Sequence, residues 1–220
     1  MNKMIELQNV TKIYSRGPEK VHALRNVSLT VEPGEFLAIV GPSGSGKTTL
    51  LQLIGCMDRP TEGKININGK EVSGLNEAAL TGFRSESIGF VFQQFFLIPT
   101  LTALENVELP MLFGTKKNHR SDARELLRRI GLGDRLNHRP SELSGGEMQR
   151  AAIARALINS PEIILTDEPT GNLDSENANN ILRLFKELNS QGQTILMVTH
   201  NTELAAQARR VVQLKDGQLD

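Results

Sequence analysis

At 220 residues the chain has room for one domain, or for one domain with an inserted lobe. Its 25 Lys and Arg balance 25 Asp and Glu, so the formal charge is zero and gives no electrostatic support to a nucleic-acid partner. A single cysteine, Cys56, excludes an internal disulfide and is expected to pack as a small apolar residue, and no apolar run approaches the roughly 18 residues of a membrane span. The opening MNKMIELQNV is polar and alternating, which does not read as a signal peptide. With 4% aromatics and no Trp, the core must be mostly aliphatic.

Residues 4–10 alternate as a strand. Residues 15–20, SRGPEK, are polar and contain Gly17-Pro18, which predicts a loop. Residues 22–31 alternate again, and Pro33-Gly34 turns the chain into the apolar strand FLAIV, 36–40. There follows Gly41-Pro42-Ser43-Gly44-Ser45-Gly46-Lys47-Thr48-Thr49, a G-x-x-x-x-G-K-[ST] pattern, and then an apolar run fit for a helix, expected to stop near Pro60. Glycines at a strand-to-helix turn let the backbone wrap a phosphate chain closely, and the helix adds N–H groups and the positive end of its dipole. Lys47 then supplies a compact charge, and the Thr48 hydroxyl is placed for Mg²⁺. KININGKEV, 64–72, predicts a hairpin turning at Asn68-Gly69, and IGFVFQ, 88–93, a strand.

The texture then changes. Residues 94–118 hold Pro99, Pro110 and many apolar residues (Phe95, Phe96, Leu97, Ile98, Leu101, Met111, Leu112, Phe113). Residues 122–130 read as a helix with Asp122 and Glu125 at capping-box spacing and Gly131 as the stop, and 144–158 as a strong helix. Roughly 94–160 is thus expected to be a helical lobe inserted between strands. EIILTDE, 162–168, and TILMVTH, 194–200, read as buried parallel strands with polar residues at their carboxyl ends. Between them Ile181, Leu184, Phe185 and Leu188 make one apolar helix face, and VVQLKDGQL predicts a closing edge hairpin.

Two further motifs carry chemistry. Asp167 and Glu168 end a buried strand, as one carboxylate for a Mg²⁺ shell and a second to orient an attacking water. In LSGGE, Ser144 and Glu147 form a capping box. Gly145 and Gly146, poor helix residues, open a second helix N-terminus to close approach by an anion.

The ordered set GPSGSGKTT, FVFQQ, LSGGE, ILTDEPTGNLD and VTH resembles the ATP-binding subunit of an ABC transporter, over the whole length of the chain. TGNLD, LTALENVELP and the long SRGPEKVHAL insertion resemble most the group that partners lipoprotein-releasing and macrolide-export permeases. The resemblance implies an α/β fold. Its P-loop NTPase (RecA-like) core has a parallel sheet and spans 1–93 and 161–220, with an N-terminal antiparallel β subdomain and an inserted α-helical lobe over 94–160. It implies ATP hydrolysis with Mg²⁺, a head-to-tail homodimer sandwiching two ATP, integral membrane permease subunits, no nucleic acid, and a peripheral place on the cytoplasmic side of the inner membrane.

The same resemblance assigns roles. Tyr14 stacks on adenine, and Gly41 through Thr49 form the phosphate loop, with Lys47 catalytic. Gln93 senses Mg²⁺ and the γ-phosphate. Ser144, Gly145 and Gly146 meet the γ-phosphate of ATP held by the other subunit. Asp167 supports Mg²⁺, Glu168 polarises the water, Asp174 lies at the dimer interface, and His200 contacts the γ-phosphate. Glu147 departs from the Gln common in this signature, at a mild electrostatic cost near phosphates. The apolar segment 94–113 is expected to meet a membrane subunit. Competing readings are a cell-division-type ABC ATPase regulating a permease-like partner, and a soluble ABC ATPase outside transport.

Overall fold

The computed structural model describes residues 3–113 and 120–220. Its first elements are β1 (Ile5–Arg16), β2 (Glu19–Val31), β3 (Phe36–Val40), α1 (Lys47–Ile54), β4 (Glu62–Ile67), β5 (Lys70–Glu71), α2 (Glu77–Ser87) and β6 (Ile88–Phe92). Then come α3 (Ala103–Glu108), α4 (Arg120–Arg129), α5 (Gly145–Leu157), β7 (Ile163–Asp167) and α6 (Ser175–Ser190). The chain closes with β8 (Thr194–Thr199), α7 (Thr202–Ala205), β9 (Arg210–Lys215) and β10 (Gln218–Leu219). It divides into two compact units, residues 1–81 with 192–220, and residues 82–191.

In the first unit, β1 pairs antiparallel with both β2 and β4, and β4 with β5. A second group of strands runs parallel, with β3 between β8 and β9, and β10 folds back antiparallel on β9. β3 and β8 are apolar along nearly their whole length and buried, as parallel strands covered on both faces must be. Asn68 and Gly69 both take positive φ in the β4–β5 turn, the geometry an Asn-Gly hairpin requires. The predicted loop over 15–20 is instead a tight hairpin: Ser15 pairs with Lys20 and Arg16 with Glu19, leaving only Gly17 and Pro18 to turn. Gly17, at φ 59, supplies the left-handed turn residue that makes this possible. α1 is shorter than expected. It ends at Ile54 with Gly55 as C-cap, and Cys56 follows at φ 55, so the stop comes before Pro60. Cys56 is buried, as a small apolar residue would be.

In the second unit, β6 and β7 pair in parallel, from Ile88 beside Ile163 to Phe92 beside Asp167. The lobe core gathers Leu104, Val107, Ala123, Leu127, Ile130 and Leu132 against Ala151 and Ala154 of α5 and Ile158, its C-cap. Alanines on the buried face of α5 let α3 and α4 pack close to it. Asp122 is not a cap, because α4 has already begun at Arg120. It lies in the first turn, where its charge suits the helix dipole. Gly131 does end the helix, at φ 76. The part of the apolar segment over 114–118 lies outside the described residues. Asn106 of α3 is completely buried and holds the turn before it. Its Oδ1 accepts from Ile98 N at 2.7 Å, and its Nδ2 donates to the carbonyls of Ile98, Leu101 and Thr102.

Candidate functional site

The first unit carries Tyr14, the loop 41–49 and His200. Register places the loop and the histidine side by side: Val40, the last residue of β3, pairs with Thr199, the last of β8. Gly41 and His200 therefore leave the carboxyl ends of adjacent parallel strands, where an open α/β sheet binds its ligands. The loop's glycines answer to space. A Cβ at Gly41 would stand 2.1 Å from Leu214 O, and one at Gly46 would stand 2.4 Å from Ala23 O. Gly46 is also at φ 102, closed to other residues, and serves as the N-cap of α1 without a side-chain cap. No acidic residue lies in the first turn of α1, so no carboxylate of the helix itself competes for its positive end.

Lys47 is buried. Its ammonium donates to Gly41 O and Pro42 O, both at 2.8 Å, which curls the loop around its own lysine. Ser45 Oγ is buried with no hydrogen-bond partner, an orphaned polar atom inside the curl. Pro42, Ser43, Gly44 and Thr48 are exposed and Thr49 half-buried, so the outer rim is open. Tyr14 is half-buried on β1. Its hydroxyl donates to Asp58 Oδ2 at 2.9 Å, and Lys12 Nζ lies 4.9 Å from its ring centroid. Burial, then the Asp58 carboxylate, push the phenol up. Burial alone would raise Asp58, but hydrogen bonds from Lys12, Arg59 N–H and Tyr14 hold it below the usual carboxylate range. His200 is exposed. Behind it, Asn201 caps α7 by accepting from Glu203 N and Leu204 N.

The second unit carries Gln93, the LSGGE motif, both carboxylates and Asp174. Because Phe92 pairs with Asp167, Gln93 and Glu168 each follow one of two adjacent strand ends. Glu168 sits at φ 47, unusual for a residue with a Cβ, and its carbonyl accepts from Gly171 N at 3.0 Å, so the chain turns sharply there. The Gln93 side chain is held by Asn172: Gln93 Nε2 donates to Asn172 Oδ1 at 3.1 Å, and Asn172 Nδ2 donates to Gln93 O at 2.9 Å. Asp174 caps α6, accepting from Asn177 N at 2.9 Å and Asn177 Nδ2 at 2.7 Å. The Asn177 backbone bond, then its side chain, lower the Asp174 carboxyl.

The LSGGE capping box is present. Glu147 N donates to Ser144 Oγ, and Ser144 N donates to Glu147 Oε2 at 2.8 Å. Gly146 also answers to packing, since a Cβ there would stand 2.1 Å from Asn177 Oδ1. The expected cost of Glu147 is answered too. Arg135 Nε donates to its other oxygen at 3.0 Å, and the Ser144 N–H, then Arg135, bring its pKa down to about 2.

Sequence reasoning missed the residues that hold this unit's loops. Gln149, fully buried, donates from Nε2 to Pro169 O at 2.6 Å, beside the carboxylates. Arg155 donates to the carbonyls of Phe95 and Phe96, two consecutive left-handed residues just after Gln93. Both lie on α5, and their spacing of six gives no helical stripe to read. Asn172 was visible only as a letter within TGNLD.

The sequence pattern of the family described as ABC transporter matches residues 24–171. An uncharacterized ABC transporter ATP-binding protein of Thermotoga maritima is 53% identical over 222 residues, covering 100% of this chain and 95% of that protein. The macrolide export ATP-binding/permease protein MacB of Hyphomonas neptunium is 49% identical over 218 residues; they cover 98% of this chain but 34% of that longer protein. Among solved structures, the dimeric post-hydrolysis state of the ATP-binding cassette MJ0796 bound to ADP and Pi aligns with a TM-score of 0.91 at 48% identity, covering 99% of this chain and 97% of that one. MJ0796 is a protein of Methanocaldococcus jannaschii. With both strand-end arrangements in place and full-length relatives near half identity, the chain belongs to the ABC transporter family, as an ATP-binding cassette.

Proposed function

We propose that the chain is the ATP-hydrolysing motor subunit of a transporter, which pairs with a second copy around two ATP and drives a membrane permease of the export or lipoprotein- and macrolide-extracting type. The observation that carries this is the pair of strand-end registers: Val40 beside Thr199, and Phe92 beside Asp167. Each sends reactive side chains off the carboxyl ends of parallel strands. The dimer of MJ0796 and the fused permease of MacB support the assembly.

In this reading Tyr14 offers its ring to adenine, and Gly41 through Thr49 bind the phosphates with Lys47 as the fixed charge. Glu168 polarises the attacking water, and His200 positions it against the γ-phosphate. Ser144, Gly145 and Gly146 serve ATP on the partner copy, and Asp174 faces that partner. ATP closes the dimer because the γ-phosphate contacts exist only in the closed state, and hydrolysis removes them.

Mg²⁺ suits the donors that each unit offers: the Thr48 hydroxyl in the first, and the Asp167 carboxylate and the Gln93 amide oxygen in the second, are hard oxygen groups. Among the described residues no cluster of three or more His, Cys, Asp or Glu could hold a metal alone, which suits an ion that arrives with its nucleotide. Mg²⁺ supplies charge neutralisation on the β- and γ-phosphates. No helix among the described residues is long and apolar enough to cross a membrane. The chain attaches to the cytoplasmic face through its permease, with the exposed Phe96, Ile98, Leu112 and Phe113 as the apolar contact.

The test is Glu168→Gln on a sizing column with and without Mg-ATP. A shift from monomer to dimer with ATP is expected. ATP bound without any shift would mean that dimerisation needs the permease, or that Ser144, Gly145 and Gly146 have no trans role.

A further inference from the structure

We propose that Asn172 is a positioning residue that turns the Gln93 carboxamide so that its oxygen, not its nitrogen, is the atom offered to a divalent cation. The inference rests on the reading of Gln93 as a cation ligand given above.

The backbone carbonyl of Gln93 can only accept, so the Asn172 atom 2.9 Å from it is the amino group, Nδ2. That assigns the other end of the Asn172 amide as Oδ1. Oδ1 also can only accept, so the Gln93 atom 3.1 Å from it is Nε2. The Gln93 amide is therefore oriented by a chain of donors and acceptors that has one consistent solution. Its nitrogen faces Asn172, and its oxygen is turned away.

Gly171 supplies the space. A Cβ at that position would stand 2.7 Å from Gln93 Nε2 and 2.9 Å from Gln93 Cδ, so the amide lies where a side chain would be. Gly171 is not at positive φ, so it is the neighbouring amide rather than the backbone that asks for glycine. The neighbours agree with the assignment. Gln93 follows Phe92, which pairs with Asp167, so amide oxygen and carboxylate leave adjacent strand ends within one unit. A cation attracts the negative end of an amide dipole and repels its NH₂ group. An amide free to flip would present the wrong end part of the time.

The experiment measures binding rather than turnover. A fluorescent, non-hydrolysable ATP analogue is titrated onto the full chain with excess Mg²⁺ and with chelator. The ratio of the two dissociation constants is the metal linkage. Asn172→Ala is expected to lower that linkage roughly three- to tenfold, the worth of one orienting hydrogen bond, while leaving metal-free affinity unchanged. Gly171→Ala, which pushes the Gln93 amide off Asn172 without deleting a polar group, is expected to lower it similarly. Gln93→Ala is expected to lower it at least as far, and adding Asn172→Ala to it should change nothing more.

If Gln93→Ala lowers the linkage and neither Asn172→Ala nor Gly171→Ala does, the orienting role is wrong while the reading of Gln93 stands. If Gln93→Ala leaves the linkage intact, Gln93 is not a cation ligand and both fall. Melting curves identify a variant that has lost its fold, and the other of the two orienting variants then decides.

Discussion

Asn106→Leu should destabilise the second unit by about 2–4 kcal/mol, although it replaces a buried polar side chain with an apolar one of similar size. The Asn106 amide is completely buried and makes four hydrogen bonds to the turn at 98–102. Not all are lost equally. Thr102 O keeps the bond from Asn106 N, and Ile98 O keeps the one from Leu101 N. The groups that depend on the amide are Ile98 N–H and Leu101 C=O. Each orphaned group costs about 1–3 kcal/mol, less where water reaches it, which the partial exposure of Ile98 allows in part. Leucine returns some burial energy, so the estimate stays in the lower half of the summed range. In a chain of this size that corresponds to a fall of roughly 4–15 °C in melting temperature. Thermal and urea unfolding followed by circular dichroism would measure it. A variant within about 0.5 kcal/mol of the parent would mean that water replaces the amide without penalty, and that burial does not make the Asn106 bonds costly to lose.

Leu97→Asp should unfold the lobe, since Leu97 packs against its core, whereas Leu112→Asp, at a residue 76% exposed, should melt like the parent and lose only stimulation by the permease in reconstituted vesicles. Lys47→Ala should abolish nucleotide binding, read by equilibrium fluorescence; retained affinity would mean that the loop's N–H groups suffice. The folded Glu147 pKa is depressed to about 2 from 4.5, so the stability it contributes is present above pH 4.5 and lost as pH falls towards 2. Acid titration of Glu147→Gln should therefore lack that part of the transition, and an unchanged profile would remove the Arg135 and Ser144 bonds as its cause.

The parallel strands and the phosphate loop could be read from the chain because their signals are local. FLAIV before a glycine run, and IILTD before a second carboxylate, state both element and chemistry within ten residues. α2 could not be read, because Leu80 is its single buried residue and leaves no apolar stripe. α3 is announced by Thr102 and Glu105 at capping-box spacing, but Pro99 and Pro110 stand on either side and leave too short a stretch for an apolar stripe to mark its bounds inside the expected helical lobe. Hardest of all were the tethers on the Gln93 loop. Arg155 reaches back 59 and 60 residues to Phe96 and Phe95, and Asn172 reaches back 79 to Gln93. No window of sequence holds both ends of such a bond. Their acceptors are backbone carbonyls, which carry no letter at all.

The missing side chain at Gly146 has a consequence for inheritance as well as for packing. The Asn177 amide rests where a Cβ would be, and the same amide is gripped by Asp174. Residues 146, 177 and 174 are thus three teeth of one ratchet joining the starts of α5 and α6. A side chain added at 146 must turn the Asn177 amide aside, which costs its bond to Asp174. A larger residue at 146 should therefore be tolerated best beside a smaller one at 177. A swap between related cassettes that exchanges LSGGE without TGNLDSEN should bind nucleotide normally and fail at the start of α6.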